Sequence, residues 1–448
     1  MSLTAGLDRL RDLINRISKE SFGPDLVDVD ELTDFVLFGQ KDEGWVLLSN
    51  DEALEYRQCL NELSSSIEDR YSRKAVEQLM QTAILKALDI KKQRTKIPFE
   101  KRLESAIKEL QNTLKAKPTT WTVHLRVEGL APAGLPKKFG KVEFYFADEA
   151  RIKQLIQDIN TVIDLGANNP EVKKDVKSLT GQKLKSLTGA TMASLKVSAC
   201  DPEAAWSQAR RELRLTMDVL NFYSDILFNP KLHVQIYFPG ELQPVKDLSV
   251  IFKSDMHSIS LPFKIIGPLS KMSLDEMTSE RAQQVGLFRA DGILKKDQRT
   301  EVEERVLAAL QWAGRATVNT RAEEAFLQYA IALECITLGR KDHTELRYRL
   351  AMRTALLVGN TLNVRKLVKK EVTDLYDIRS KIVHTGSYEV TNSELSLIRY
   401  LAKKCILRVL TEEPFLSMKK EDNLNAWFDE AMLSYVQQNG RSRHYPAV

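Results

Sequence analysis

The chain has 448 residues, 43% hydrophobic and 28% charged, which excludes a mainly disordered or fibrous protein and leaves ample length for several cores. At ~150 residues per domain, about three domains fit. The 66 basic and 61 acidic residues leave a net charge of +5, compatible with a nucleic-acid partner but too mild to indicate one.

The opening MSLTAGLDRLRDLINRI carries Leu7, Leu10, Leu13, Ile14 and Ile17 at helical spacing instead of a continuous apolar signal core, which argues against secretion. No apolar run reaches the ~18 residues of a membrane span. Cys59, Cys200, Cys335 and Cys405 are far apart and form no CxxC pair, so they read as buried thiols in a reducing cytoplasm. A cytoplasmic protein with no membrane association is expected.

Residues 1–118 read as a mostly helical region with one short hairpin, DFVLF and GWVLLS joined by KDEG. Ahead of the hairpin, PDLVDVDEL carries Asp25, Asp28, Asp30 and Glu31, a grouping that could suggest a metal nuclease. No catalytic Lys follows at a suitable spacing after a strand, so no metal and no cofactor are expected. Helices are predicted at roughly 51–68, 72–92 and 98–116, with Pro98 in the first turn of the last.

Residues 119–290 change period and read as an α/β regulatory or recognition domain. TWTVHLRVEGL alternates as a strand does, APAGLP is a turn cluster, and GKVEFYFA is a second strand. A helix is predicted at about 148–165, and further strands at 191–199, 233–238, 248–253 and 258–265. Asp201 and Pro202 open a long amphipathic helix as its N-cap and first-turn residue. Lys177–Gly181 repeats as Lys185–Gly189. With Lys173, Lys174 and Lys183 this basic stretch reads either as a flexible loop touching phosphates of RNA or a nucleotide trigger, or as a solvated connection. It is not a P-loop, because GxxxxGK[ST] does not occur.

Residues 291–415 read as an all-α bundle of five helices: EVEERVLAALQWAGRA, TRAEEAFLQYAIALECITLG, HTELRYRLAMRTALLVGN, NVRKLVKKEVTDLYDIRSKIVHTG and TNSELSLIRYLAKKCILRVL. Thr320 with Glu323, and Thr391 with Glu394, have the spacing of capping boxes. Gly359 with Asn360, and Gly386, supply stop signals. The short connections predict an antiparallel bundle. Residues 416–448 form a C-terminal extension with a polar tail. The fold class is therefore α+β multidomain: a helical and mixed α/β N-terminal module, then an all-α helical bundle.

The segment richest in chemistry is YDIRSKIVHTG, Tyr376 to Gly386. His titrates near neutrality, so His384 could move a proton to or from a ribose oxygen. Arg379 could hold a phosphate in a fork geometry. On an ideal helix five residues turn through ~500°, leaving the two side chains ~140° apart, and convergence is expected only at a frayed helix end near Gly386. The same spacing also fits an Arg in a surface ion pair and a His capping a helix. Around the motif, Asp377 reads as solvent-facing, and Glu334 reads either as a partner orienting Arg379 across the bundle or as an exposed residue. Arg347, Arg349 and Arg353 recur along the third helix, where 349 and 353 share a face. They could track an RNA backbone or belong to a solvated face, and Arg365–Lys370 (RKLVKK) is open in the same way. The remaining histidines, His124, His233, His257, His343 and His444, are scattered.

ALECITLG, ELRYRLAMRTALLVG and above all LYDIRSKIVHTG resemble the HEPN superfamily, most closely its ApeA-like branch, over residues ~297–415. Arg-x4-His at the end of the penultimate helix is that family's hallmark. The resemblance implies a metal-independent endoribonuclease that works as a homodimer or higher oligomer, with two motifs facing one cleft. It implies a role in antiviral (phage) defence, with the N-terminal module sensing or restraining under a phage-derived or nucleotide trigger. Carried over by position, Arg379 and His384 are the catalytic pair. Ser380 stands where many members have Asn, Asp or His, and its hydroxyl can still hydrogen-bond a phosphate. Arg349, Arg353 and Lys381 are the candidate substrate-binding residues for RNA. The alternative within the family is a non-catalytic scaffold that binds RNA or a protein.

Overall fold

The computed structural model describes residues 3–17, 35–40, 44–67, 70–88, 97–166, 170–228, 233–241, 245–248, 251–252, 259–260, 263–266, 270–339, 344–386 and 388–439. Asp25, Asp28, Asp30, Glu31, His257, His343 and His444 lie outside them. The fold is mixed α+β, and two compact units form: Met1–Val123 with Lys196–Arg211, and His124–Leu195 with Glu212–Val448. The second unit therefore contains residues on both sides of position 290.

In the first unit the apolar stripe Leu7, Leu10, Leu13, Ile14 and Ile17 is buried, most of it on helix α1 (Leu3–Arg16). Strands β1 (Phe35–Gln40) and β2 (Gly44–Ser49) form the expected antiparallel hairpin, with Phe38 opposite Val46. Helices α2 (Asn50–Ser66), α3 (Arg73–Leu88) and α4 (Phe99–Leu114) complete one core, in which Tyr56, Leu63, Met80, Ile84 and Ile107 are buried. Pro98 is the N-cap of α4 and not part of its first turn.

A four-stranded sheet runs in the order β3–β6–β5–β4, from β3 (Thr119–Val127), β4 (Lys137–Phe139), β5 (Val142–Phe146) and β6 (Thr191–Ala199). Between β5 and β6 lie α5 (Glu149–Gly166) and α6 (Pro170–Lys185). The basic stretch from Lys173 is thus a helix followed by a turn, and not a loop. Lys, Leu and Gln are good helix formers, Lys177 pairs with Asp164 at 2.7 Å, and Lys173 Nζ donates to the Asp164 carbonyl at 2.7 Å. Helix α7 (Pro202–Leu227) opens as its sequence signals: Asp201 Oδ1 accepts from the amides of Glu203 and Ala204 at 3.0 and 2.9 Å.

Residues 233–238 were expected to be a strand but contribute only an isolated bridge, Tyr237 to Glu128. The Asn221 side chain occupies both backbone groups of Ile236, accepting from its N–H and donating to its carbonyl at 2.8 Å each, so a second strand has no place on the edge that faces away from Glu128. Short strands β7 (Val245–Leu248) with β10 (Phe263–Ile266), and β8 (Ile251–Phe252) with β9 (Ile259–Ser260), form two antiparallel ribbons.

After α8 (Glu280–Gln284) and α9 (Leu287–Lys295) come the five expected helices: α10 (Glu301–Val318), α11 (Ala322–Thr337), α12 (Leu346–Val358), α13 (Leu362–Thr385) and α14 (Asn392–Thr411), then α15 (Glu421–Asn439). α10 packs on α11, α12 on α13, and α14 lies against α10, α11 and α12. Thr391 and Glu394 form their capping box. Thr320 and Glu323 do not: α11 begins at Ala322, and the Asn319 side chain accepts from the Arg321 amide at 3.0 Å instead. A capping box missed in the sequence, Thr300 with Glu303, opens α10.

The C-terminal half of α7 belongs to this pack. A Cβ on Gly314 of α10 would stand 1.8 Å from the Asp218 carbonyl oxygen, so the two helix backbones touch there. Lys403 of α14 is buried, donates to the Phe222 carbonyl at 3.2 Å and pairs with Asp225, which also pairs with Arg399. This interlock is why the bundle and the segment before position 290 share a unit. Of the four cysteines, Cys59 and Cys405 are buried as expected, whereas Cys200 and Cys335 are half-buried; all four are free. Among the described residues no helix is long and apolar enough to cross a membrane.

Candidate active site

The motif lies on α13. Val368, Val372, Leu375, Ile378 and Ile382 recur at helical spacing and are buried, which fixes which side of α13 meets the bundle. Thr361 caps its start, accepting from the Val364 amide at 3.4 Å. Gly386 ends it in the left-handed region at φ 66°, its N–H bonding the Ile382 carbonyl at 3.1 Å.

Arg379 sits at the margin of the buried stripe. Its Nε lies 3.2 Å from Glu334 Oε1 on the last turn of α11, with the two side chains 30% and 21% exposed. The Arg379 guanidinium also stands over the Tyr376 ring, 5.8 Å from its centroid. Burial raises the Glu334 carboxyl pKa, and the charge and hydrogen bond of Arg379 oppose that rise. Of the two sequence readings of Glu334, the partner across the bundle is the one found. Beside the pair is a small void of about 10 Å³, walled by Leu333, Leu350, Val372 and Leu375.

His384 is exposed in the last turn of α13. The helix does not fray before it, so the expected convergence with Arg379 fails within one chain. On a regular helix the two side chains diverge by ~140° and their Cα atoms are ~7.5 Å apart along the axis. Arg379 turns toward α11 and His384 toward solvent. Ser380 is half-buried and Lys381 exposed. The Lys381 ammonium stands 5.8 Å from the Tyr388 ring centroid, and the Tyr388 hydroxyl donates to Glu394 at 2.8 Å.

The arginines of α12 separate. Arg347 pairs with Asp377, whose side chain stays 46% exposed, so the expected solvent-facing position holds and carries a surface ion pair. Arg349 is half-buried. Arg353 was expected to touch substrate and cannot: it is 2% exposed, donates to the Thr337 carbonyl at 2.7 Å, and packs over Phe428 at 5.1 Å. Burial of a guanidinium is tolerated there because a helix-end carbonyl and an aromatic face receive it. The sequence signal was present but read as charge: Leu350, Ala351, Ala355, Leu356 and Leu357 flank Arg353 on all sides and are all buried. Sequence reasoning also missed Tyr376, whose position three residues before Arg379 puts both on neighbouring parts of one helix surface.

Among the described residues, no group of three or more His, Cys, Asp or Glu side chains could hold a metal ion. Comparison with family models, with curated proteins and with solved structures gave no match.

Proposed function

We propose that this chain is a metal-independent endoribonuclease whose residues 291–415 act as a HEPN-type bundle. The observation that carries this reading is the Arg379–Glu334 pair at 3.2 Å together with an exposed His384 five residues further along the same unbroken helix. His384 takes the proton of a ribose 2′-OH as that oxygen attacks the adjacent phosphorus. The P–O5′ bond breaks, a protonated imidazole returns a proton to the departing 5′-oxygen, and a 2′,3′-cyclic phosphate and a 5′-OH remain. Arg379 stabilises the charge that builds on the phosphoryl oxygens, and Glu334 orients it. Ser380 and Lys381 add a hydroxyl and a charge near the same phosphate. Because Arg379 and His384 diverge on one helix, the working site pairs His384 of one copy with Arg379 of a second, in a homodimer. The physiological role we infer is phage defence, with the segments before the bundle sensing a trigger and restraining the nuclease.

The test is incubation of the full chain with total RNA in EDTA. Wild type cuts; His384→Ala and Arg379→Ala lose about 10²–10⁴-fold in rate, and Arg379→Lys does not rescue, since a point charge lacks the guanidinium fork. Cleavage that needs added metal counts against the mechanism.

A second reading, a non-catalytic scaffold binding RNA or a protein, is favoured by the engagement of Arg379 with Glu334, which a bundle-closing ion pair would also show. Melting curves on the same three variants separate the two. A catalytic role leaves stability within ~1 kcal/mol, as a partly exposed pair contributes little. A structural role lowers the melting temperature of Arg379→Ala by several degrees and tolerates Lys.

A further inference from the structure

Between the start of α12 and the middle of α13 lies an open groove of about 630 Å³. Glu345, Arg347, Tyr348, Lys369, Thr373 and Tyr376 line it, together with Leu346. Tyr348 is 51% exposed, and the Lys369 ammonium stands over its ring at 4.9 Å. At the other end of the groove Tyr376 lies under the Arg379 guanidinium. Two aromatic faces interleaved with cations on an open surface are the arrangement that stacks unpaired bases and tracks a sugar–phosphate backbone. Of the carboxylates at this surface, Asp377 pairs with Arg347, while Glu345 is part of the groove's lining and is outnumbered there by Arg347 and Lys369.

The groove also points somewhere. Lys366, Lys369, Thr373, Tyr376, Ser380 and His384 follow one another at spacings of three or four residues along α13. On a regular helix they fall within an arc of ~80°, and Lys369 and His384 are ~22 Å apart along the axis. A strand seated in the groove and following this face arrives at His384.

We propose that this groove is a binding site for single-stranded RNA that leads the strand to His384. The inference rests on the ribonuclease reading for its direction, but the binding itself can be measured separately. A fluorescein-labelled 12-nucleotide oligouridine is titrated against the full chain carrying His384→Ala, so that nothing is cut, and followed by anisotropy. Tyr348→Ala weakens binding by roughly 10-fold or more, while Tyr348→Phe, which keeps the stacking face, binds as before. Lys369→Ala weakens binding and lowers the salt slope by about one. Tyr348 and Lys369 are away from the buried core, and melting curves confirm that the variants fold.

Unchanged affinity in Tyr348→Ala and Lys369→Ala overturns the groove. So does equal loss in Tyr348→Ala and Tyr348→Phe, or tighter binding of polyglutamate or of duplex RNA than of the single strand. Wild-type cleavage combined with unchanged binding in the groove variants sinks the groove and leaves the nuclease standing. Groove-dependent binding with no cleavage by wild type sinks the nuclease and leaves the groove standing.

Discussion

Asp218, buried on α7, accepts from Arg315 Nε at 2.9 Å, yet its pKa is raised from the ordinary 3.8 to about 6. Burial outweighs the favourable charge and hydrogen bond of Arg315, which is itself 35% exposed and so a diluted partner. The folded chain therefore holds the Asp218 proton at pH values where the unfolded chain has released it. Stability should fall as pH rises from about 4 to about 6 and level off above, by an amount on the order of 2–3 kcal/mol. Asp218→Asn should flatten that part of the curve, as urea titrations at pH 4, 5, 6 and 7 would show; an unchanged slope would mean that another group causes it. Single residues were unevenly legible in the sequence. Glu334 and Arg379 could be matched because each interrupts an apolar stripe at its margin. The burial of Arg353 is signalled by the apolar residues around it, but its partner is not, and Asp218 gives no signal at all, because a charge inside a helix pack is written in the same letters as one on its surface. Only the partner, a carbonyl or a guanidinium from a distant segment, distinguishes them.

Helices and hairpins are legible in the sequence where side-chain roles are not, since periodicity and stop signals are local. The five helices from α10 to α14, the β1–β2 hairpin, the Asp201 cap and the Gly386 stop all follow from such signals. Residues 233–238 have the composition of a strand, but the Asn221 side chain closes the edge that Ile236 presents away from Glu128, and Gly129 at φ 88° leaves the extended conformation beside the one bridge on the other edge. In α6 the glycines of the repeated KSLTG suggested a loop, while Gly181 is simply carried inside a helix. Gly314 is the opposite case, a glycine in mid-helix that contact with another backbone demands. Gly314→Ala should drive α10 away from α7 and cost ~3 kcal/mol or more, by overpacking against atoms that cannot rotate aside. Thermal melts of Gly314→Ala beside Gly292→Ala, where a Cβ would meet nothing within 4 Å, provide the comparison; equal loss in both would point to glycine removal itself and not to the contact.

At the scale of the whole molecule, the divergence of Arg379 and His384 makes the dimer testable without a structure of it. If each working site takes its Arg from one copy and its His from the other, mixing the inactive Arg379→Ala and His384→Ala chains should rebuild one intact site per mixed dimer. Random exchange should then recover roughly a quarter of wild-type cleavage. A mixture as inactive as its components would place both residues in one chain's site or dismiss the pair. The expectation of a dimer comes from the family resemblance and from the thinness of a site with a single Arg and a single His. The interlock of α7 with α10 and α14 was not legible at all, because Lys403 and Asp225 are 178 residues apart.

One further feature bears on how firmly the site is held. The carbonyls at the end of α11 are not left to water: Arg305 donates to those of Cys335, Ile336 and Leu338 at 2.8–2.9 Å, and Arg353 to that of Thr337. Helix ends ordinarily fray through brief local openings that need little free energy. Here such an opening must first pull two buried guanidinium groups off four carbonyls. Glu334 rides on this turn, so the backbone that carries its carboxylate is denied the cheap local excursion. Arg305 and Arg353 thereby hold in place the turn from which Glu334 reaches Arg379.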